Sequence, residues 1–436
     1  MSKILERKSK EDYQKISWGP REEYIPLHWN LKNINDISEE VIYPQRDKPK
    51  DLEGEIPWIR IEDLDGKYIS ESDSGKGVTH ETIQEMNLSV FSSGTLMCSC
   101  SGNMGICAIT ERDLISNQTF AGIVPSENVD VEYLYYCLEN LKDDLQRMST
   151  GTTIPYLSSD KLKRFSVPSP PLPEQRRIAE ILSTVDNLIQ QTNKIIEKAT
   201  EIRRGVLNDL LSTGVNESQL QEIQFGPIKR SIPITWEVVD LEDIAQRLTN
   251  GISESQNSKG DGFPVTRIET IADGVVNLSA VGWIDDDSSG YEDYQIREND
   301  ILFSHINSID HVGKAAQYRE KEDILYHGMN LILIRFDWNL IHPLFAYMYM
   351  TAPFMRKLCR SFAKKAVNQV SLNQGDVSSL PLVLPPYDQQ KMIAHRIECI
   401  DKKLRIERHQ KQYLNKLKRG LMQDLLTGRV RVPVET

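Results

Sequence analysis

The amino-acid sequence predicts an α+β protein with pseudo-two-fold character: two mixed α/β domains joined by two long helices that pair as an antiparallel coiled coil. Three observations predict it. First, the 436-residue chain repeats itself 215 positions apart. Pro171, Gln175, Ile178, Ala179, Asp186, Arg204, Gly205, Asp209, Leu210 and Leu211 match Pro386, Gln390, Ile393, Ala394, Asp401, Arg419, Gly420, Asp424, Leu425 and Leu426 without a gap. Second, an upstream register offset by 207 links Ile25-Pro26-Leu27-His28-Trp29 with Ile232-Pro233-Ile234-Thr235-Trp236, and Pro57, Arg60, Ile61 and Glu62 with Pro264, Arg267, Ile268 and Glu269. Third, each downstream copy spaces its apolar residues alternately three and four apart, the pattern of a coiled-coil seam.

The elements follow in order. Residues 1–24 form a charged N-terminal extension, and 25–169 the first globular domain. Residues 170–215 form the first helix and 216–384 the second globular domain. Residues 385–428 form the second helix and 429–436 a tail. The segment Pro168, Pro170, Pro171 and Pro173 ends the first domain, because proline cannot continue a strand ladder or a helix interior. Glu174 then places negative charge at a helix N-terminus. The first seam reads Ile178, Ile181, Val185, Leu188, Thr192, Ile195, Ala199, Ile202 and Val206, and Gly214 closes it. The second reads Ile393, Ile397, Ile400 and Leu404, then Leu414, Leu417, Leu421 and Leu425, with polar Glu407 and Gln410 between. The span 174–211 is roughly 57 Å long at about 1.5 Å per residue. That equals about 17 base pairs at about 3.4 Å each. A duplicated chain suits a partner that is itself two-fold, as antiparallel duplex DNA is.

Composition bounds the function. Net charge is −11, against a stand-alone DNA binder. Its distribution is uneven: 1–169 carry 19 basic and 28 acidic residues, 170–215 carry 6 and 6, 216–384 carry 15 and 23, and 385–436 carry 12 and 6. Contacts to DNA would use local basic patches and a more basic partner. No apolar run reaches about 18 residues, so no membrane span is expected. The six cysteines form no CxxC pair, which favours free thiols in a reducing cytoplasm over a zinc site.

Enzymatic motifs are missing. Leu384-Pro385-Pro386-Tyr387 looks like the Asn-Pro-Pro-Tyr motif of amino-methyltransferases, yet Leu384 cannot accept a hydrogen bond from a target amino group. No GxxxxGK[ST] phosphate loop and no GxSxG elbow occur. Asp285-Asp286-Asp287 reads as a solvated acidic turn.

The runs Pro-Pro-Leu-Pro-Glu-Gln-Arg-Arg-Ile-Ala (170–179) and Arg-Arg-Gly-Val-Leu-Asn-Asp-Leu-Leu-Ser-Thr-Gly (203–214), with Pro-Pro-Tyr-Asp-Gln-Gln (385–390) and Lys-Arg-Gly-Leu-Met-Gln-Asp-Leu-Leu-Thr-Gly (418–428), resemble the conserved helices of the specificity subunit of type I restriction–modification systems. The Ile-Pro-x-x-Trp openings at 25 and 232 are similar to that family's domain starts. The resemblance implies a non-catalytic cytoplasmic subunit with two target recognition domains. Each would read half of a bipartite, asymmetric double-stranded DNA sequence. It further implies two docked methyltransferase subunits and motor–endonuclease subunits. S-adenosylmethionine, ATP and Mg would sit on those partners, with no cofactor in this chain. The N-terminal extension departs from the family pattern. So does Asp388-Gln389-Gln390, which stands where the first helix has Pro173-Glu174-Gln175. The alternative is a duplicated coiled-coil adaptor that bridges two identical proteins without nucleic acid.

Base reading needs Arg or Lys for guanine and Asn or Gln for adenine; Ser, Thr and basic residues reach phosphates. Candidates are Arg360, Lys364, Lys365, Asn368 and Gln369, expected as a basic helix running into a polar segment, with Thr152, Thr153 and Tyr156 as the first-domain equivalent. A second group is Ser99, Ser101 and Asn103, matched by His305 and Asn307. Arg60 and Arg267 either touch DNA or form internal ion pairs. Two further polar loops are candidates, Gln45-Arg46-Asp47-Lys48 and Asn250 to Lys259. Gln175, Arg204 and Gly205, and their repeats Gln390, Arg419 and Gly420, are expected to meet a protein partner. A glycine inside a helix costs about 1 kcal/mol relative to alanine, so its recurrence at one register marks either close backbone approach by a partner or an early helix end.

Overall fold

In a computed structural model the chain is described at residues 12–18, 21–46, 48–149, 155–215, 219–271, 274–320, 324–366 and 369–433. It divides into two compact units, Met1–Lys194 with His409–Thr436, and Ile195–Arg408. Each globular domain therefore carries the near half of its own long helix and the far half of the other.

The first unit opens on a hairpin of β1 (Tyr13–Trp18) and β2 (Arg21–Pro26). Its main sheet contains β3 (Ser38–Ile42), β4 (Tyr68–Ile69), β5 (Leu96–Ser99), β6 (Cys107–Thr110) and β7 (Phe120–Pro125), in the order β3-β7-β5-β6-β4. Leu96 to Ser99 are all buried, because the two faces of β5 pack on different clusters. Leu96 and Cys98 join the core that holds Trp29, Tyr133 and Tyr136, whereas Met97 joins Phe91 and Phe120. Helix α1 (Val131–Asn140) covers the first face and is capped by Asp130, whose carboxylate accepts from the Tyr133 amide at 2.9 Å. The long helix α2 runs Leu172–Thr213 and ends at Gly214, whose φ of 68° provides the left-handed stop.

The second unit repeats this scheme. The hairpin of β8 (Leu220–Phe225) and β9 (Ile228–Pro233) lies 207 residues after β1 and β2, strand for strand. Strands β10 (Ala245–Asn250), β11 (Ile301–Phe303), β12 (Ala315–Gln317) and β13 (Ile332–Phe336) pair in the order β10-β13-β11-β12, matching β3-β7-β5-β6. The short β4 is reduced to one parallel bridge, Val275 with Gln317. Then come α3 (Pro343–Met350), α4 (Pro353–Phe362), the hairpin of β14 (Lys364–Ala366) and β15 (Gln369–Ser371), and the long α5 (Tyr387–Leu425). The described part of the N-terminal extension is thus the counterpart of β8–β9 within the internal repeat.

The helix contacts are exchanged between copies. In the first unit Ile178, Ala179 and Leu182 of α2 share a core with Met422, Leu425 and Leu426 of α5. In the second, Leu207, Leu210 and Leu211 of α2 share one with Ile393, Ala394 and Ile397 of α5. Each set is the other shifted by 215. Within each unit the start of one helix therefore packs on the end of the other, which is antiparallel pairing. An ion pair repeats in the same exchanged sense. Arg203 binds Asp401 in the second unit, with Nη2–Oδ2 at 3.1 Å. Lys418 lies 2.9 Å from Asp186 in the first.

The seam itself differs in part from the sequence reading. Val185 and Thr192 are buried as expected, but Leu188, Ile195 and Ile202 are 41–48% exposed. The inward positions are their near neighbours Leu182, Ile189, Ile196 and Arg203, which are buried or half-buried. On α5, Leu404, Glu407 and Leu414 turn inward, while Gln410 and Leu417 are exposed. Both registers alternate three and four and share every second residue, so spacing alone could not choose between them.

Candidate nucleic-acid interface

In the second unit the polar segment 304–308 and the basic segment 360–369 come together. Ile306–Asn307 pairs antiparallel with β15, and β15 pairs with β14, giving a three-stranded sheet. Lys364 opposes Ser371 on its edge, with Nζ 3.9 Å from Asp376 and the side chain 71% exposed. Gln369 is exposed as well. Lys364 and Lys365 belong to this hairpin and not to the basic helix expected from the sequence: α4 ends at Phe362, one residue before an extended stretch. Arg360 turns back on the loop, donating from Nε to the Ile309 carbonyl at 2.9 Å, with Asp310 3.6 Å from its Nη2. It anchors the surface and is 39% exposed. Asn307 donates from Nδ2 to Ser304 Oγ at 3.3 Å and accepts from the Ser308 amide at 2.8 Å.

The first unit makes the same junction in reduced form. Ser101 bridges Tyr156, and the Leu157 amide donates to the Cys100 carbonyl at 2.7 Å. Tyr156 is 52% exposed and Asn103 is exposed. Thr152, Thr153 and Asn368 lie outside the described residues, as does the Lys365 side chain. Arg46 and Lys48 are exposed on their loop.

Four candidates are corrected by burial. Ser99 is fully buried: its hydroxyl donates to the Asn103 carbonyl at 2.7 Å and accepts from the Ile106 amide at 2.9 Å. It shapes the loop and cannot reach DNA. His305 is 5% exposed, and burial pushes its imidazole down to about 4, so it is neutral near pH 7 and offers no charge to a phosphate. Gln175 and Gln390 are 2% and 1% exposed, which withdraws them from any partner contact. Gln175 accepts from the Asp130 amide at 3.0 Å and donates to the carbonyls of Asn128 and Pro170 at 3.2 and 2.8 Å. Gln390 accepts from the His342 amide at 2.7 Å and donates to Leu340 and Pro385 at 3.1 and 2.8 Å. Each glutamine latches a long helix to the start of its domain's own helix. Their recurrence in the sequence signalled importance but not its kind.

The neighbouring residue works alike in both copies. Trp29 donates from its indole to Glu174 at 3.0 Å, and Trp236 to Gln389 at 2.9 Å. The Glu-to-Gln change between the helices therefore keeps its acceptor. Glu174 additionally holds Arg431 at 2.8 Å, tying down the tail. By contrast Arg204, Gly205, Arg419 and Gly420 are exposed, and a Cβ at either glycine would meet nothing within 4 Å. These four stay open to a partner.

Arg60 and Arg267 hold equal places in the repeat but unlike surroundings. Arg60 is 46% exposed, 3.8 Å from Glu62. Arg267 is half-buried, donating from Nε to Gln256 Oε1 and from Nη2 to the Asn257 carbonyl, both at 2.9 Å. Gln256 and Asn257 fall within the polar loop Asn250 to Lys259 marked from the sequence, but their hold on Arg267 was not legible there. Among the described residues no group of three or more His, Cys, Asp or Glu is placed to hold a metal ion, and no helix is long and apolar enough to cross a membrane.

Comparison with known proteins agrees with this architecture. The family model described as "Type I restriction modification DNA specificity domain" matches twice, at residues 26–201 and 233–416. A relative in Methanocaldococcus jannaschii assigned as the MjaX type I restriction enzyme specificity subunit is 40% identical over 198 residues, which is 45% of this chain and 46% of that protein. The chain thus spans about half the length of that relative. The MjaVIII specificity subunit of the same organism is 24% identical over 94% of both chains. The crystal structure of a type I restriction–modification S subunit from M. genitalium aligns over 94% of this chain and 97% of its own, with a TM-score of 0.56 and 15% identity, a likeness of fold. Two copies of one domain, each closed by a helix latched through the same glutamine and matched by the same family model, place the chain: it belongs to the type I restriction–modification DNA specificity family, as a specificity subunit.

Proposed function

We propose that each globular domain reads one half of a bipartite, asymmetric double-stranded DNA target. On this reading the two helices set the spacing between the halves, and their exposed Arg-Gly positions dock two methyltransferase subunits. Motor–endonuclease subunits complete a cytoplasmic complex. Methylation and cleavage belong to those partners, with S-adenosylmethionine, ATP and Mg bound there.

The observation that carries the reading is the pairing of likeness with difference. The frame repeats down to single hydrogen bonds, as the two glutamine latches do. The surfaces mounted on it do not repeat: one unit offers Ser101, Asn103 and Tyr156, the other Asn307, Lys364 and Gln369. A frame held constant with unlike polar surfaces fits recognition of two unlike half-sites. The adaptor alternative needs two equivalent surfaces and leaves that difference unexplained.

The test is to produce the chain with its methyltransferase subunits in a host and map methylated adenines across the genome. A single motif of two unlike halves with a fixed gap is expected. Methylation at a continuous palindrome, or none dependent on this chain, would refute the reading.

A further inference from the structure

We propose that Arg267 reads a guanine, within a G·C pair, in the half-site held by the second unit. The inference rests on the DNA-specificity reading and makes it particular. Ile252, Glu254, Gln256, Arg267, Glu269 and Met329 line an open cleft of about 280 Å³. Arg267 is oriented there before any ligand arrives. A guanidinium is planar with two usable edges. The Nε–Nη2 edge is occupied, since Gln256 Oε1 and the Asn257 carbonyl accept from Nε and Nη2 at 2.9 Å each. The remaining edge, Nη1 with the second hydrogen of Nη2, has no partner among the described residues. That edge presents two parallel donors, the pattern that meets O6 and N7 of guanine in the major groove.

The cradle is built around this fork. A Cβ at Gly282 would fall 2.1 Å from Gln256 Oε1 and 2.4 Å from Arg267 Nε, so a bare backbone closes over the pair. On the other side, a Cβ at Gly328 would come within 3.0 Å of Gln256 Nε2. Strand Gly282–Ile284 itself pairs with Phe263–Val265, two residues before Arg267. Among the described residues the first unit shows no such cradle: Arg60 lies against Glu62 with its side chain half in solvent.

The charges choose a base over a phosphate. Glu254 and Glu269 line the same cleft and are exposed. Two carboxylates repel a phosphate but tolerate a neutral base edge. They also suit the other half of the pair, because a carboxylate accepts from cytosine N4. Arg267 forms no ion pair within 4 Å among the described residues, so neither glutamate consumes its charge.

The test compares methylation maps of the wild-type complex and variants. The wild-type motif is expected to hold an invariant guanine in one half. Arg267→Lys keeps the charge and loses the fork, and Arg267→Gln loses both. Each should relax that one position, lowering guanine preference about 5–150-fold, and leave the other half unchanged. Gly282→Ala, with Arg267 present but displaced, should relax the same position, and it covers the case in which an Arg267 variant fails to fold. A bipartite motif that no variant alters, or one that weakens evenly at all positions, overturns the inference alone. A wild-type map without a bipartite motif overturns the DNA reading, and this inference with it.

Discussion

The two places where domain meets helix share a geometry and differ in chemistry. In the first unit the junction is a polar network. Lys67 donates to Glu132 at 2.6 Å and to Ser183 at 2.7 Å. Tyr136 donates to Asp186 at 2.7 Å, and Lys418 lies 2.9 Å from Asp186 and 3.1 Å from Glu139. In the second unit the Gln390 latch aligns α3 as Gln175 aligns α1, yet the matching positions are Leu344 for Glu132, Met348 for Tyr136 and Thr351 for Glu139. There the exchanged ion pair, Arg203 with Asp401, stands beside an apolar core holding Phe345, Met348 and Tyr349. The latch and the exchanged pair therefore fix the geometry, and the filling between them is free to change. A buried ionic network is weak evidence for added stability, because desolvation offsets much of its attraction. Its members nonetheless depend on one another.

That dependence gives the largest expected effect. Lys418→Met removes the cation between two carboxylates and should cost about 3 kcal/mol. Arg203→Met acts on one pair with each partner about a quarter exposed and should cost about 1 kcal/mol. Urea unfolding of each variant measures the gap, and equal losses would break the comparison.

The latches should behave alike. Gln175→Leu and Gln390→Leu each strand an amide and two carbonyls, and a buried unsatisfied group costs about 1–3 kcal/mol. Losses of about 2–3 kcal/mol in both, read by urea unfolding, are expected. A latch that matters in only one unit would contradict a shared frame.

Acid should separate the units by pH window. Burial pushes His305 and His327 of the second unit down to about 4 from an ordinary value near 6.5. The unfolded chain binds those protons first, so their contribution is complete above pH 6.5 and is lost as pH falls towards 4. In the first unit burial opposes ionisation of Glu132, but hydrogen bonds from Lys67, Ser183 and Tyr68 outweigh it and hold the carboxyl below its ordinary 4.5. Its contribution is present above 4.5 and is lost only below. Hydrogen exchange at pH 5 should show the second unit opening first. His327→Gln should narrow the difference, and the reverse order would overturn the assignment.

The smallest effect has the opposite sign. Gly205→Ala and Gly420→Ala meet open space on helix surfaces, so each should stabilise the isolated chain by up to about 1 kcal/mol. If bare backbone there admits a partner, both should also weaken assembly with methyltransferase subunits, seen by analytical ultracentrifugation. Unimpaired assembly would leave the glycines without that role.

Sequence alone determined the duplication, the two long helices and the pairing of their starts with their ends. Those follow from periodicity and from prolines and glycines, which act locally on the backbone. It also marked Gln175, Gln390, Arg204 and Arg419 by repetition. Only the tertiary structure decided that the glutamines look inward while the arginines face solvent, because burial depends on what packs from elsewhere in the chain. The same holds for the seam, where Leu188, Ile195 and Ile202 fit the spacing but lie outside it. It holds for Arg60 and Arg267 too: identical places in the repeat became unlike sites because Gln256, Asn257 and Gly282 come from segments the sequence does not join to Arg267. A residue's type sets what it can bond, but the fold decides which partners are within about 3 Å.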